Sequence, residues 1–274
     1  MSQTDIEDAI RLYGAGNSVH EIGEMLGFRG NLVWSNLRRA GVLMRNNYES
    51  SSRRPANDAA FSEPLTEKGR YFIGLLMADG CVQQRSANGF SISLGLCAED
   101  VAMVEALRDF ACPTAPIEHR SIPTGDSRTV RVASRQMADD LARYGVVPNK
   151  SLTAKASGGV ELDRDFWRGV IDGDGHFSRH FDGNYSIGLC GSLDILRQFS
   201  AYCSTVIPDY AAPVSGTARI FRTSIYGRKA QMITSALYEG CTIALERKWS
   251  VAREIMASVP RATNRPLVYS PQRV

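Results

Sequence analysis

The sequence lacks the features that mark exported and membrane-embedded proteins. It contains no run of about 18 apolar residues, the length that a membrane-spanning helix needs, and no charged-then-apolar leader. Its six cysteines are scattered without any C-x-x-C pair, which indicates reduced core thiols rather than a zinc site or a disulfide framework. We therefore expect a cytoplasmic protein with no membrane partner.

The sequence also has little net charge, only +3 over 274 residues, so the total indicates no partner by itself. The basic residues are nevertheless clustered. Residues 29–54 contain six arginines and a single glutamate, and residues 247–274 contain six basic residues and a single glutamate. Such clusters favour a polyanionic partner, although a basic tail is also a common way for a protein to stay soluble. The hydrophobic content of 43% is sufficient for one large domain, alone or with a small one.

Residues 1–45 are predicted to form a small domain of three helices. Ile6, Ile10 and Tyr13 have helical spacing, and Ser18 and Glu21 form a capping box at the start of a second helix. A third segment, rich in Arg, Asn and Ser, follows a glycine turn. The stretch resembles the helix-turn-helix modules of resolvases and transposases, whose last helix enters the major groove. A three-helix interaction module without nucleic acid is the alternative.

If this domain binds DNA, its contacts are expected on polar positions beside the apolar stripe of the third helix. Those positions are Arg29, Asn31, Ser35 and Arg38. Residues 46–64 have no hydrophobic periodicity and many small or polar side chains, so they are predicted to be a linker.

The rest of the chain contains an internal repeat. The segment "YFIGLLMADGCV" (71–82) matches "DFWRGVIDGDGHF" (165–177), and both are apolar helical stretches that end in Asp-Gly. Asp79 and Asp174 are 95 positions apart, and Lys150 and Lys248 are 98 apart. The segments "SLGLC" and "SIGLC" match at an offset of 93. Two copies of one unit predict a body with pseudo-twofold symmetry.

Within each copy the patterns predict the order helix, two strands, helix, two strands, helix. The fold class is therefore α+β, with tandem αββαββα repeats after the small helical domain. The predicted strands alternate apolar residues with polar and basic ones, so that one face of each sheet is expected to be available for DNA. The candidate DNA-binding residues in these strands are Gln83, Arg85, Arg131, Arg179, Arg219 and Arg222.

Each motif helix carries small residues four positions apart, which gives it one smooth stripe that allows close packing. The residues are Gly74 and Ala78 in the first helix, and Gly169 and Gly173 in the second. Packing through these stripes would bring Asp79 and Asp174 together at two helix C-termini. The paired carboxylates would repel each other unless a cation lies between them, and oxygen ligands suit Mg²⁺.

These motifs resemble those of the LAGLIDADG homing endonucleases of the single-chain, two-motif kind. The resemblance rests on residues 72–80, residues 167–175 and the two lysine segments "YGVVPNKSL" and "ALERKW", and it covers residues 65 to about 258. It implies a first repeat at 65–155 and a second at 156–274, the latter with the basic tail. Met77 replaces the first aspartate of the motif, and Trp167-Arg168 replaces its usual small or aliphatic start.

The resemblance implies a monomeric endonuclease that cuts double-stranded DNA at a long specific target, with short 3′ overhangs. It implies Asp79, Asp174, Lys150 and Lys248 as catalytic residues, and Mg²⁺ bound by both aspartates with Ala78 and Gly173. Mn²⁺ or Ca²⁺ is expected to substitute for binding. A role in the mobility of an intron or a free-standing gene, in a bacterial or phage host and near the nucleoid, would follow.

Three alternatives stay open at this point. Asp-Gly after a helix is a frequent turn, although two such turns in repeat register favour a site. The chain could be a transcriptional regulator that retains the endonuclease fold, or an RNA maturase that assists intron splicing. The segment "DGDGHF" resembles the start of a calcium-binding loop, but Phe177 occupies the position where that loop requires glycine, so this fourth interpretation is excluded.

Overall fold

The computed structural model describes residues 1–44, 56–85, 89–122, 125–217 and 220–259. Contacts divide the chain into two compact units, Met1–Ala56 and Asn57–Val274. No helix in the described ranges is long and apolar enough to cross a membrane.

The first unit contains the three predicted helices, α1 (Gln3–Gly14), α2 (Val19–Leu26) and α3 (Gly30–Arg39). The predicted capping box is present: Ser18 accepts a hydrogen bond from the Glu21 backbone, and the Glu21 side chain accepts one from the Ser18 N–H. A second capping box begins α1. The core of the unit is formed by one buried cluster, Ala9, Tyr13, Ile22, Val33 and Leu37.

The turn between α2 and α3 depends on two glycines. Gly27 ends α2 in the left-handed region, with φ of 75°. A Cβ added at Gly23 would overlap the carbonyl oxygen of Phe28. Glycine at both positions therefore lets the chain reverse tightly and brings the start of α3 against α2.

In its described residues the second unit contains two αββαββα repeats and one additional α-helix. The first repeat comprises α4 (Glu67–Ala78), β1 (Gly80–Gln84), β2 (Phe90–Cys97), α5 (Val101–Ala111), β3 (Ile117–Ile122), β4 (Gly125–Val132) and α6 (Arg135–Arg143). The second comprises α7 (Arg164–Asp174), β5 (Gly175–Arg179), β6 (Tyr185–Gly191), α8 (Leu193–Val206), β7 (Val214–Thr217), β8 (Ile220–Tyr226) and α9 (Gly227–Tyr238). Helix α10 (Glu246–Ala257) follows. The predicted fold class is confirmed.

Each repeat has an antiparallel four-stranded sheet, with the orders β1-β2-β4-β3 and β5-β6-β8-β7. Gly80 pairs with Leu94 in the first sheet, and Gly175 pairs with Leu189 in the second. Gly80 and Gly175 are 95 positions apart, and so are their partners Leu94 and Leu189. The sequence match suggested an offset of 93 for β2 and β6, which is wrong by two residues. A shift of two residues preserves the alternation of faces, so the pattern of apolar and polar residues does not reveal it.

The end of the predicted linker packs on the first repeat. The backbone N–H of Asn57 donates to the Ala111 carbonyl oxygen at 2.8 Å, and the Ser62 hydroxyl donates to Asp140 at 2.6 Å. Phe61 is buried. These contacts place residues 57–62 in the second unit, whereas residues 46–55 of the predicted linker lie outside the described residues.

Helices α4 and α7 cross at the pseudo-twofold axis through the predicted small residues. A Cβ at Gly74 would overlap the carbonyl oxygen of Phe166, and a Cβ at Gly169 would overlap that of Tyr71. Phe166 and Tyr71 are 95 positions apart, so the two contacts are symmetric equivalents. Close packing of the two backbones therefore requires glycine at both positions.

We expect Gly74→Ala to destabilise the second unit by about 1–3 kcal/mol or more, because the methyl group must push α4 and α7 apart. The matched control is Gly69→Ala in the same helix, where an added Cβ meets its nearest neighbours at 3.4–3.5 Å, which is ordinary contact. Urea unfolding followed by tryptophan fluorescence measures both. Equal stability of the two variants would contradict the close crossing.

Candidate active site

The two motif aspartates lie at the C-terminal ends of the crossed helices. Asp79 directly follows α4, and Asp174 is the last residue of α7. A Cβ built on Gly173 would lie 3.1 Å from Asp79 Oδ2 and would overlap the Ala78 methyl group. Each aspartate has part of its surface open to solvent. The crossing therefore brings together four residues of the predicted metal site, Ala78, Asp79, Gly173 and Asp174.

The electrostatics of this site favour a positive ligand. Partial burial and then the negative charge of Asp79 raise the pKa of Asp174 to about 6. Partial burial also raises the pKa of Asp79, whereas the charges of Lys248, Arg247 and Lys150 lower it. The negative ends of two helix dipoles meet at the same place. A bound cation would stabilise both carboxylates in their ionised form.

The two predicted lysines are bound to backbone carbonyls beside these acids. Lys150 Nζ donates to the carbonyl oxygen of Gly80 at 2.5 Å. The Lys248 ammonium donates to three carbonyl oxygens, those of Ile171, Gly173 and Gly175, at 2.7, 3.3 and 2.6 Å. Both side chains are buried. Gly80 and Gly175 are equivalent positions, so Lys150 and Lys248 bind equivalent carbonyl oxygens in the two repeats.

Burial lowers the pKa of Lys150, and it lowers the pKa of Lys248 to about 8. Each ammonium neutralises a helix C-terminus, which is a structural role, and lies close enough to the acids for their charges to affect it. An amine with a pKa near 8 can also exchange a proton near neutral pH.

A buried cluster around Asp172 has no counterpart among the site residues predicted from sequence. The Asp172 carboxylate accepts hydrogen bonds from the Tyr71 hydroxyl at 2.7 Å, the Tyr238 hydroxyl at 2.6 Å and the Leu245 N–H at 2.7 Å. Leu245 is the N-cap residue of α10, the helix that carries Lys248. Asp172 therefore fixes the start of that helix and, through it, the position of the lysine.

The same cluster explains why Met77 can replace the first aspartate of the motif. Met77 is the equivalent of Asp172, and Phe166 is the equivalent of Tyr71, at the offset of 95. Met77 and Phe166 are both buried. Asp172 and Tyr71 thus form a polar pair on one side of the axis, and the equivalent pair on the other side is apolar. Because Phe166 has no hydroxyl group, no hydrogen-bond acceptor is needed at Met77.

The unusual motif start at Arg168 forms a second buried cluster, at the opposite ends of the crossed helices. Its guanidinium donates to Asp165 and Glu67, each at 2.9 Å, and to the carbonyl oxygens of Ile243 at 2.8 Å and Leu237 at 3.0 Å. The side chain is completely buried. Arg168 therefore links α4, α7 and the segment that leads to α10.

A third cross-repeat contact is made by equivalent positions. Arg70 of α4 donates to Asp165 of α7 at 3.2 Å, and the two residues are 95 positions apart. The ion pair therefore joins a position of one repeat to the same position of the other.

The sheet faces opposite the helices carry only some of the predicted DNA-binding residues. Gln83, Arg131 and Arg222 are exposed, and their pairing with Ser91, Ser93 and Cys190 places them on these faces. Arg85 is exposed directly after β1. Arg179 pairs with Tyr185, which lies on the same face of β6 as the buried Ile187. That face packs against the helices, so Arg179 does not lie on the face that was predicted to bind DNA. Arg219 lies outside the described residues.

In the first unit, the predicted contacts lie on or beside α3. Arg29, Asn31 and Arg38 are exposed, whereas Ser35 is half-buried and donates to the Asn31 carbonyl oxygen at 2.9 Å. The Arg38 guanidinium lies 5.0 Å from the ring centre of Trp34. Aromatic and basic groups therefore share one exposed helix surface.

The residues at the crossing fit a divalent cation of the hard, oxygen-binding kind. The described ranges contain no cluster of three or more His, Cys, Asp or Glu side chains, so two carboxylates and backbone carbonyls are the available donors. The Gly173 carbonyl already accepts one hydrogen bond from Lys248, which leaves one lone pair. Mg²⁺ commonly takes one or two carboxylates and completes its coordination with water and phosphate oxygens.

Metal affinity should depend on pH because the pKa of Asp174 is raised to about 6. Below that pH the carboxyl holds a proton that a metal must displace, so we expect the Mn²⁺ dissociation constant to rise about tenfold per pH unit. Above it the constant should level off. Titration of the protein with Mn²⁺, followed by electron paramagnetic resonance at several pH values, measures this. A flat profile would contradict the assignment, and Asp174→Asn should abolish the binding at every pH.

No protein-family model and no curated protein matches the sequence. Among solved structures, this chain is similar to the meganuclease I-SmaMI bound to uncleaveable DNA, with 10% identity, a TM-score of 0.48, and coverage of 70% of this chain and 90% of that one. It is also similar to the LAGLIDADG meganuclease I-AabMI bound to uncleaved DNA, with 11% identity, a TM-score of 0.47, and coverage of 70% and 89%.

A third similar structure is the I-LtrWI LAGLIDADG homing endonuclease bound to target DNA, with 10% identity, a TM-score of 0.45, and coverage of 73% and 89%. The two αββαββα repeats of this chain, crossed through the small residues of both motif helices, form the LAGLIDADG fold that the motifs predicted.

Proposed function

We propose that this protein is a site-specific endonuclease that hydrolyses both strands of DNA with the help of divalent metal ions. The observation that carries the proposal is the pairing of Asp79 and Asp174 at the helix crossing, each accompanied by a buried lysine at an equivalent position. The duplicated arrangement suits a substrate with two antiparallel strands, because each half-site can act on one strand.

In this proposal Asp79 and Asp174, with the carbonyl oxygens of Ala78 and Gly173, hold Mg²⁺. When bound there, the ions would supply Lewis-acid stabilisation of the phosphate and a water of lowered pKa. Lys150 and Lys248 stabilise the negative charge that develops on the phosphate. Asp172 positions Lys248 through the start of α10.

The exposed sheet faces would bind the duplex around the cleavage point. Gln83 has the donor and acceptor groups that read base edges, and Arg85, Arg131 and Arg222 can bind bases or phosphates. The α3 surface of the first unit would lengthen the target site through Arg29, Asn31, Ser35 and Arg38. We further propose that the protein acts as a monomer and serves the mobility of an intron or a free-standing gene.

The test uses a library of random duplexes. Duplexes that the protein retains in Ca²⁺ are recovered, sequenced and then incubated with the protein in Mg²⁺, with EDTA as the control. We expect one long target to be cut on both strands, with short 3′ overhangs and only in the presence of the metal. Specific binding without cleavage would instead indicate a DNA-binding regulator, and binding of structured RNA alone would indicate a maturase.

A further inference from the structure

The guanidinium of Arg247, beside the candidate site, has no equivalent cation in the other repeat. Arg247 occupies the first turn of α10, directly before Lys248. Its Nε donates to both carboxylate oxygens of Asp100, at 2.9 and 3.3 Å. Asp100 is buried and belongs to the first repeat, at the end of a short helix that follows β2. A residue of one repeat therefore orients an arginine of the other.

The pair is present on one side of the pseudo-twofold axis only. The residue before Lys150 is Asn149, which is neutral, and the N-cap position of α8 that corresponds to Asp100 at α5 is Ser192, which is buried and also neutral. Each half thus has an equivalent lysine, whereas the arginine and the buried carboxylate that binds it each occur in one half only. The candidate site has different charges in its two halves.

The contacts of Arg247 leave its terminal nitrogens available. In the described part of the chain its hydrogen bonds with protein come from Nε, and 49% of its side chain is exposed. The planar guanidinium has five N–H donors in a fixed arrangement that matches phosphate geometry. Arg247 directly precedes Lys248, whose ammonium donates to the carbonyl oxygen of Gly173 at 3.3 Å, and a Cβ built on Gly173 would lie 3.1 Å from Asp79 Oδ2.

We propose that Arg247, oriented by Asp100, binds a DNA backbone phosphate beside Asp79, and that this contact makes the two strands depend unequally on the second repeat. The inference rests on the proposed nuclease function, because it concerns the same site. Asp100 is a positioning residue: it touches no substrate, and it limits the arginine to orientations in which the terminal nitrogens face solvent.

The experiment compares Arg247→Gln with the wild type on a selected duplex that is labelled at the 5′ end of each strand in turn. We expect the cleavage rate of one strand to fall about tenfold or more, since hydrogen bonds to charged groups are the strong ones, and that of the other to change far less. Arg253→Gln is the matched control, because Arg253 lies on the same helix and pairs with the exposed Glu246. It should leave the ratio of the two rates unchanged.

Asp100→Asn provides the test of positioning. It keeps the shape of the side chain but removes the charge that holds Arg247, so the ratio should shift in the same direction by a smaller factor. Arg247→Lys should restore part of the loss, since it retains the charge without the planar group. Equal loss on both strands in Arg247→Gln, or an unchanged ratio, would overturn the inference.

The two proposals can fail separately. If the wild type cuts both strands and Arg247→Gln cuts them in the wild-type ratio, only the role of Arg247 is refuted. If the wild type binds a selected duplex and cuts neither strand, the nuclease proposal is refuted, and the phosphate contact is then tested by binding. Loss of one phosphate contact should reduce the salt dependence of binding by about one unit of slope, and an unreduced slope would refute the contact as well.

Discussion

Asp174→Asn is expected to abolish cleavage of both strands while leaving DNA binding intact. Asparagine keeps the size of the side chain but carries no charge, so it cannot hold a divalent ion against competition from water. Metal coordination contributes several kcal/mol to such reactions, and we therefore expect the rate to fall by roughly 1,000-fold or more. Single-turnover cleavage of a selected duplex in Mg²⁺ measures the rate. Asp79→Asn should behave in the same way.

Binding of the same duplex in Ca²⁺ separates a catalytic effect from a folding defect. Removing one of two repelling carboxylates should leave the dissociation constant within about threefold of the wild type, because the metal site supplies little of the DNA-binding surface. Asp109→Asn, which changes an exposed aspartate paired with Arg108, is the matched control and should retain full activity. Appreciable double-strand cleavage by either active-site variant would refute the assignment of the paired acids.

Arg168→Met should cause the largest loss of stability among single substitutions in the second unit. The change removes a buried cation and leaves the Asp165 carboxylate and two carbonyl oxygens without this donor. Breaking a buried ion pair by removing one partner typically costs about 3–5 kcal/mol, because the remaining charge stays buried. Urea unfolding of the full chain, followed by circular dichroism and tryptophan fluorescence, gives the difference in free energy.

Arg135→Ala is the control for this measurement. Arg135 forms an exposed ion pair with Asp139 at 3.4 Å, and exposed pairs contribute about 0–1 kcal/mol. Asp165 keeps its ion pair with Arg70 when Arg168 is replaced, so Asp165→Asn in the Arg168→Met background should recover little of the loss. A loss for Arg168→Met no larger than that of the control would show that the cluster does not hold the repeats together.

Local signals in the sequence were sufficient for the architecture. Caps, glycine turns and alternating strands predict the three-helix unit and both αββαββα repeats, and the duplication places Asp79 and Asp174 at equivalent helix ends. The spacing of small residues also predicts the close crossing of the two motif helices, which the structure confirms at Gly74 and Gly169. These features are encoded within segments of about a dozen residues, so pattern alone predicts them.

The supporting clusters could not be predicted in this way. Asp172 accepts hydrogen bonds from Tyr71, which is 101 positions away, and from Tyr238, which is 66 away. No local pattern relates residues that are so far apart in the sequence. A single tyrosine in an apolar helix is predicted to be an ordinary core residue. The face of Arg179 is a different case, because alternation along β5 places it on the same side as Phe177, which pairs with the buried Ile187, and this signal was available in the sequence.

The ion pair between Arg70 and Asp165 bears on how a two-part molecule can arise from one ancestor. A chain built from two copies of the first half would oppose two arginines at this point, and a chain built from two copies of the second would oppose two aspartates. Either combination would set like charges against each other beneath the crossed helices. The present halves are therefore complementary at this point, and neither could replace the other without bringing like charges together.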